Sequence, residues 1–412
     1  MSMEDFNVII AGGGPVGLVA AHALHSAGID FIVLERREIV VLDQGASIVL
    51  GAASLRVMHQ FGLLDKLLEI GGEFQHNKAF ILDGYEFKYS HALRCERIWL
   101  NHGIAPVSFH RARFIQVLYD ELPDSVKGRY ILAKKVTDIS SSEIGVQAKC
   151  ADANIYNGSM VLGADGVQTP GLLRSSALAA DSTADGIPST PLRPNIILLM
   201  VQFPRHSARP SECGQSFDTH HKGRSKKDTE ALAAEFSKYS IADELKFKDI
   251  YAKRPRSGMA NLEEDIPKHW SWGRVVLAGD ACHKYTPNAG LGLNDGIQDI
   301  VLLCNGLCRT IKDTPDGLDT ATLRWVFDEY QEIRSKPLQK DAELSAQVTH
   351  MHAWANTFYH VTACYIMLWE LVQESFINYS AAQYIKRGRV LDYISATEPF
   401  KGIVNWVHQM KS

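Results

Sequence analysis

The sequence has no long uninterrupted apolar run, no excess of charge of one sign and no ordered set of cysteines, and each lack removes a class of protein. Lys and Arg number 43 against 47 Asp and Glu, a formal net charge of −4, so the balance implies no polyanionic partner. The basic group Lys222, Arg224, Lys226 and Lys227 stands among His, Ser and Asp without apolar periodicity, which reads as a solvated loop rather than a nucleic-acid surface. Seven cysteines (Cys95, Cys150, Cys213, Cys282, Cys304, Cys308 and Cys364) are scattered and odd in number. They suggest neither a disulfide framework nor metal-type pairs, so no metal is expected, and Cys304 and Cys308, sharing a helix face, read as buried thiols. A basic, apolar, small-residue leader is missing, because the chain begins almost at once with a strand. The expectation is an intracellular, reducing location, cytoplasmic or membrane-associated, and not secretion. Trp354 to Val372 is fairly apolar, but His360 and Glu370 interrupt it. It reads as a buried or membrane-surface helix, leaving peripheral membrane contact open, rather than as a span. Internal repeats, low-complexity tracts and a Ser/His/Asp or paired-carboxylate arrangement are also missing, so no catalytic residue is named.

What is present starts with bulk: 412 residues at 46% hydrophobic content bury a large core and suggest two or three structural units. Phe6 to Ala11 is a continuous apolar run, followed by Gly12-Gly13-Gly14-Pro15-Val16-Gly17, a small-residue helix to Ala27, and Phe31-Ile32-Val33-Leu34 ending in Glu35. This is a βαβ unit with a GxGxxG turn in its proper context. Gly12 permits the tight turn, Gly14 lets a pyrophosphate approach the backbone, and Gly17 lets helix and strand pack closely. Glu35 stands where a carboxylate accepts the hydroxyls of an adenosine ribose. The fingerprint alone does not separate FAD from NAD.

A second strand, turn and helix runs from Arg274 to beyond Asn294. The apolar Val275-Val276-Leu277 ends in Gly279-Asp280, a short polar loop follows, and Gly290 and Gly292 open a stretch whose spacing turns helical at Ile297, Ile300 and Val301. Asp280 at the strand's end is placed to accept from a sugar-like hydroxyl, while the helix N-terminus favours negative charge. His283 reads as structural or ligand-adjacent rather than catalytic. A third stretch, Met160 to Val167, is a strand ending in Ala164-Asp165-Gly166, with Arg174 downstream; Asp165 is suited to bond a sugar or to order a phosphate-binding turn.

Between these lie less specific signals. Gln44 to Gly51 is a small-residue loop able to move against a flat ring, or a plain linker, and leads into an amphipathic stretch carrying Leu55, Met58, Leu63, Leu64, Leu67 and Leu68. Phe74 to His102 has a strand-like pattern with Phe80, Leu82, Phe87 and Tyr89 around the turn pair Asp83-Gly84. His110-Arg111 starts a helix with Phe114, Val117, Leu118 and Leu122 on one face. Arg111 either engages a cofactor or forms a surface salt bridge. The late aromatics Trp354, Phe358, Tyr365, Trp369, Phe376 and Tyr384 read as helices covering the nucleotide-binding part, with the rings in the core.

The three motifs, in this order, resemble those of the flavoprotein monooxygenases with the aromatic-hydroxylase fold. More narrowly, Val33-Leu34-Glu35-Arg36, Gly45-Ala46-Ser47-Ile48 and His283-Lys284-Tyr285-Thr286-Pro287-Asn288 resemble fungal FAD-dependent epoxidases and hydroxylases of the paxilline and meroterpenoid type. The resemblance implies an α/β fold: a Rossmann-like FAD-binding domain (1–75, 104–175 and 270–340) interleaved with a smaller β-sheet substrate domain (76–103 and 176–269, shortened), plus C-terminal helices (341–412). It implies that Glu35 holds the adenosine ribose, Arg111 contacts the cofactor and Asp280 bonds the ribityl chain. It further implies that Val49 and Leu293 contact the flavin through their backbones, and that the Asp165 segment supports FAD and the transient docking of NADPH. The implied reaction passes an oxygen atom from O2 to a small lipophilic substrate in secondary metabolism, by epoxidation or hydroxylation. Phenol hydroxylation, or flavin binding without oxygenase turnover, are the alternatives. The chain departs from the family pattern at Gln168-Thr169-Pro170, at Ala112 and at Leu291.

Overall fold

The computed structural model describes residues 6–43, 47–74, 76–80, 86–91, 93–166, 197–201, 226–242, 245–254, 257–261, 266–314, 317–352, 354–367 and 369–411. Six strands form the main sheet: β1 (Asn7–Ala11), β2 (Asp30–Leu34), β3 (Tyr130–Ile131), β4 (Met160–Gly163), β5 (Ser271–Trp272) and β6 (Val275–Leu277). Their order is β5-β6-β4-β1-β2-β3, and every neighbouring pair is parallel except β5 with β6. The central strands β1, β2, β4 and β6 are mostly apolar because both faces are covered. Val8 and Ile10 point into the main core, whereas Ile9, Ala11, Leu34, Val161 and Val275 pack against Val136, Ile139, Val146 and Ala148. Those four belong to a three-stranded antiparallel sheet, Val136–Ser141, Val146–Cys150 and Ile155–Gly158, on the opposite face.

Helix α1 (Pro15–Ala27) buries Leu18, Val19 and Leu24, each contributing about 1.5–3 kcal/mol on removal from water. It ends at Gly28, whose φ of 69° is left-handed and whose N–H returns to the carbonyls of His25 and Leu24. Helix α2 (Gly292–Asp313) buries Ile297, Ile300, Val301, Cys304, Leu307 and Cys308 in the same core. Helix α3 (Thr320–His352) packs on α2. From it, Tyr330 lies 5.4 Å from the buried Trp270 ring and donates to the Leu277 carbonyl at 3.1 Å.

Several expectations are corrected. The strand pattern of Phe74 to His102 holds for the hairpin His76–Phe80 and Glu86–His91, but Leu93–His102 is a helix. Its partners are distant in sequence: Arg97 Nε donates to Glu374 at 2.9 Å and Asn101 to Asn378 at 3.1 Å. The late aromatics are not core. Phe358, Tyr365 and Trp369 are 70%, 64% and 68% exposed, because those rings face away from the core on or beside the helical runs 357–366 and 370–385. Beyond Ile385 the chain continues to 411 without helix or strand. Arg56, fully buried, holds that tail: it donates to Glu398 at 2.6 to 3.0 Å, to the Gly388 carbonyl at 3.1 Å and to the His408 carbonyl at 2.7 Å, and lies 4.0 Å from the centre of the Trp406 ring. Leu68 is exposed, while Leu55, Met58, Leu63, Leu64 and Leu67 are buried as expected. Gln44 to Ala46, the turn Asp83-Gly84, Gln168-Thr169-Pro170, Arg174, Cys213, Lys222 and Arg224 lie outside the described residues. Among the described residues no helix is long and apolar enough to cross a membrane.

Candidate cofactor site

The carboxyl ends of β1, β2, β4 and β6 meet at one edge of the sheet. Gly12 N–H donates to the Leu34 carbonyl at 3.0 Å, Ala164 N–H to Ala11 at 2.8 Å, and Ala278 N–H to Gly163 at 3.0 Å. Gly12 has φ of 109°, and a Cβ there would lie 2.6 Å from the Cα of Asp165, so the first and third motifs touch through backbone. A Cβ on Gly17 would lie 2.0 Å from the Gly12 carbonyl oxygen, which explains the demand for glycine where α1 meets β1. Gly14 differs: among the described residues nothing lies within 4 Å of the Cβ it lacks, and no side chain caps the N-terminus of α1. Open space in front of uncapped N–H groups suits an anion.

Glu35 is 3% exposed and fixed by the turn it serves. It accepts from Gly13 N–H at 2.8 Å, Arg37 N–H at 2.9 Å and Arg37 Nε at 3.0 Å. A carboxylate has about four acceptor positions, so capacity for a hydroxyl donor remains. Tyr130, not singled out by the sequence reading, donates to the Gly13 carbonyl at 2.7 Å and so braces the same loop. Arg111 opens the helix Arg111–Asp120. Burial pulls its pKa down, Arg37 adds to that, and Asp280 and Glu35 oppose it. The guanidinium thus feels both carboxylates and, among the described residues, has no hydrogen bond or ion pair of its own.

The second motif is drawn against α1 by glycines. A Cβ on Gly279, whose φ is 61°, would meet Val16 at 2.9 Å, and one on Gly296 would meet Val16 at 2.7 Å and the Gly279 Cα at 3.3 Å. In the turn Gly279 to His283 only Asp280 is exposed. A Cβ on Gly292, at the start of α2, would stand 3.4 Å from Asp280 Oδ1. Leu293 follows in the first turn of α2, whose N-terminus likewise has no side-chain cap.

Asn294 was passed over by sequence reasoning, although it sits directly behind Gly292-Leu293. Its amide nitrogen donates to the Val49 carbonyl at 2.8 Å and the Gly290 carbonyl at 3.0 Å, and its oxygen accepts from Gly51 N–H at 2.9 Å and Ser54 at 2.7 Å. One side chain thus ties Ser47–Leu50 to the start of α2, and the Val49 carbonyl is already shared with it.

Behind Asp280 lies a buried charge network. Asp299 Oδ2 accepts from Gly279 N–H at 3.0 Å and pairs with His283 Nε2 at 2.6 Å, while Oδ1 accepts from Arg334 Nε at 2.7 Å. Arg334 also donates to Asp295 at 2.9 Å. Burial pushes the Asp299 carboxyl up, but His283 and Arg334 prevail and hold it well below the usual range. Burial pulls His283 down, and Asp299 prevails in raising it. His283 is thus held, buried, against the Asp299 carboxylate. Cys282, His283 and Asp299 have donor atoms within 4.8 Å of one another, but the Asp299 oxygens are engaged and the Arg334 cation adjoins them.

The residues assembled along this edge fit an adenine dinucleotide with a sugar-alcohol chain: an open helix N-terminus, a carboxylate at the end of β2, a cation between, and an exposed carboxylate before a second helix start. A family model described as "FAD binding domain" matches residues 5–124 and 204–334. The chain belongs to the FAD binding domain family. Among its relatives are the FAD-dependent monooxygenase dpchE of Colletotrichum higginsianum, 30% identical over 84% of this chain and 82% of that protein, and spyC of Aspergillus fumigatus, 28% identical over 88% and 83%. Membership and relatives together make this an FAD-containing oxidoreductase of the monooxygenase class. Its fold is that of Klebsiella pneumoniae HpxO, solved with FAD and uric acid, at a TM-score of 0.65 and 21% identity over 92% of this chain and 96% of that one. It is also that of the Diels-Alderase PyrE3, at 0.63 and 20% over 94% and 82%.

Proposed function

We propose that this family member uses NADPH and O2 to epoxidise or hydroxylate a small lipophilic intermediate of fungal secondary metabolism, with FAD laid along the carboxyl ends of β1, β2, β4 and β6. The observation that carries the reading is the pairing of the open space before Gly14 with the exposed Asp280, two features that suit adjoining parts of one extended ligand, its pyrophosphate and its ribityl chain. In this reading Gly12 and Gly17 close the turn, Gly14 admits the pyrophosphate, and Glu35 accepts the adenosine ribose hydroxyls. Arg111 neutralises negative charge on the cofactor, Asp165 supports the turn at Gly12, and Asp280 accepts from the ribityl chain. Val49 and Leu293 offer backbone groups at the ring. Residues 1–75, 104–175 and 270–340 form the cofactor domain, 76–103 and 176–269 the substrate domain, and 341–412 the C-terminal part.

FAD supplies the redox and oxygen-transfer chemistry. The chain's part is to fix the cofactor, hold the substrate in line and keep water out. A second reading is favoured by one observation: a Diels-Alderase shares the fold, so a flavin-binding protein without oxygenase turnover is the alternative. The test is turnover of candidate isoprenoid and polyketide substrates with NADPH under 18O2, with anaerobic flavin reduction followed in parallel. Label in the product supports the monooxygenase reading. Bound flavin that NADPH does not reduce, even with the candidate substrates present, makes the second reading the leading one.

A further inference from the structure

We propose that Asp299 is a positioning residue of the cofactor site, acting through the Gly279–His283 turn to set the direction of Asp280. This rests on the reading that Asp280 bonds FAD. Asp299 grips both ends of the turn with one oxygen: the Gly279 N–H at 3.0 Å and the His283 imidazole at 2.6 Å. The turn closes on itself as well, since Cys282 N–H and His283 N–H both donate to the Gly279 carbonyl at 2.9 Å. Gly279, Ala281, Cys282 and His283 are buried, so the clamped loop has one side chain free to reach a ligand, Asp280.

Asp299 is itself held, because Arg334 from α3 donates to its other oxygen at 2.7 Å. Arg334 is anchored in turn by the Asp295 carboxylate at 2.9 Å and the Asp295 carbonyl at 3.2 Å. Asp299 and Asp295 lie on α2, one turn apart, so the helix whose N-terminus lies beside Asp280 also carries the clamp. The left-handed φ of Gly279 is free for glycine, so without its hydrogen bond to Asp299 the turn loses one of the contacts that select this conformation. A fixed acceptor direction matters because a hydrogen bond weakens steeply away from linearity.

The test is a double-mutant cycle on FAD affinity with Asp299→Asn, Asp280→Ala and the combined variant. It is read by flavin fluorescence titration of the apoproteins and by visible circular dichroism of bound flavin. Asp299→Asn is expected to weaken FAD about tenfold and to change the dichroism, and to add less than about twofold once Asp280 is already alanine. A purely structural role would instead lower the apoprotein melting point and weaken binding equally in both backgrounds, which overturns the proposal. Unchanged affinity and dichroism in Asp299→Asn overturns it too. If Asp280→Ala alone retains FAD as the parent does, the cofactor reading fails and the proposal with it, whereas an undiminished Asp299→Asn effect beside a weakened Asp280→Ala removes only the proposal. Should Asp299→Asn not fold, His283→Gln takes its place in the cycle with the same expectation, because it loosens the other end of the turn.

Discussion

Of the three fingerprint glycines, two are expected to be demanded by the fold and one by the ligand, and single methyl groups separate these roles. Gly14→Ala adds a Cβ with nothing within 4 Å, at φ −71° and ψ −173°, a region open to any residue. The unfolded chain loses freedom, a gain of about 0.4–1 kcal/mol, and the poorer helix-capping of alanine offsets it by a similar amount. Apoprotein stability should therefore stay within about 1 kcal/mol of the parent. The same methyl stands where the pyrophosphate would approach. Losing one charged hydrogen bond there costs about 1.5–3 kcal/mol, roughly a ten- to hundredfold rise in the Kd for FAD. Gly17→Ala should do the reverse, because its Cβ would lie 2.0 Å from the Gly12 carbonyl oxygen, and overpacking of this kind costs about 1–3 kcal/mol of fold stability. The assay pairs urea midpoints of flavin-free protein with fluorescence titration of FAD. A Gly14→Ala variant that binds FAD as tightly as the parent, or that loses as much stability as Gly17→Ala, would refute the reasoning.

Three further outcomes are expected. His102 is fully buried, with neither ring nitrogen hydrogen-bonded among the described residues and its ring 5.1 Å from Trp406; burial, with Arg56 adding, pushes its pKa down to about 4. The unfolded chain takes up this proton near pH 6.5 and the folded one does not, so about 3 kcal/mol of stability is lost as pH falls from 6.5 to 4; His102→Phe should flatten that part of the urea midpoint against pH profile. Arg56→Met leaves Glu398 and two tail carbonyls without their donor, at a cost of about 3–5 kcal/mol, and should make the chain beyond Lys386 sensitive to limited proteolysis. Arg111→Ala should raise the Kd for FAD about tenfold while the apoprotein melting point stays near the parent's, because among the described residues its guanidinium has no hydrogen bond or ion pair to lose.

The sequence by itself determined the parts whose physics is local. The apolar run before Gly12, the glycine spacing and the acid at Glu35 define a strand, a turn and a helix within one short segment, and the same holds for Val275 to Val301. The resemblance of these motifs led to the family, which the comparisons bear out. What pairwise packing decides was not legible. No periodicity announces that Asn294 links Val49 to Gly290, that Tyr130 braces Gly13, or that Asp299 and Arg334 stand behind Asp280, because each bond joins segments whose proximity exists only after the chain has folded. The late aromatics show the same limit from the other side. Phe358 and Trp369 have the composition of core residues, but burial depends on what lies opposite, and there the tertiary structure leaves them exposed. Sequence decides which side chains are available at a turn; the fold decides which of them share a surface, because distances across the chain are set by packing and not by spacing along it.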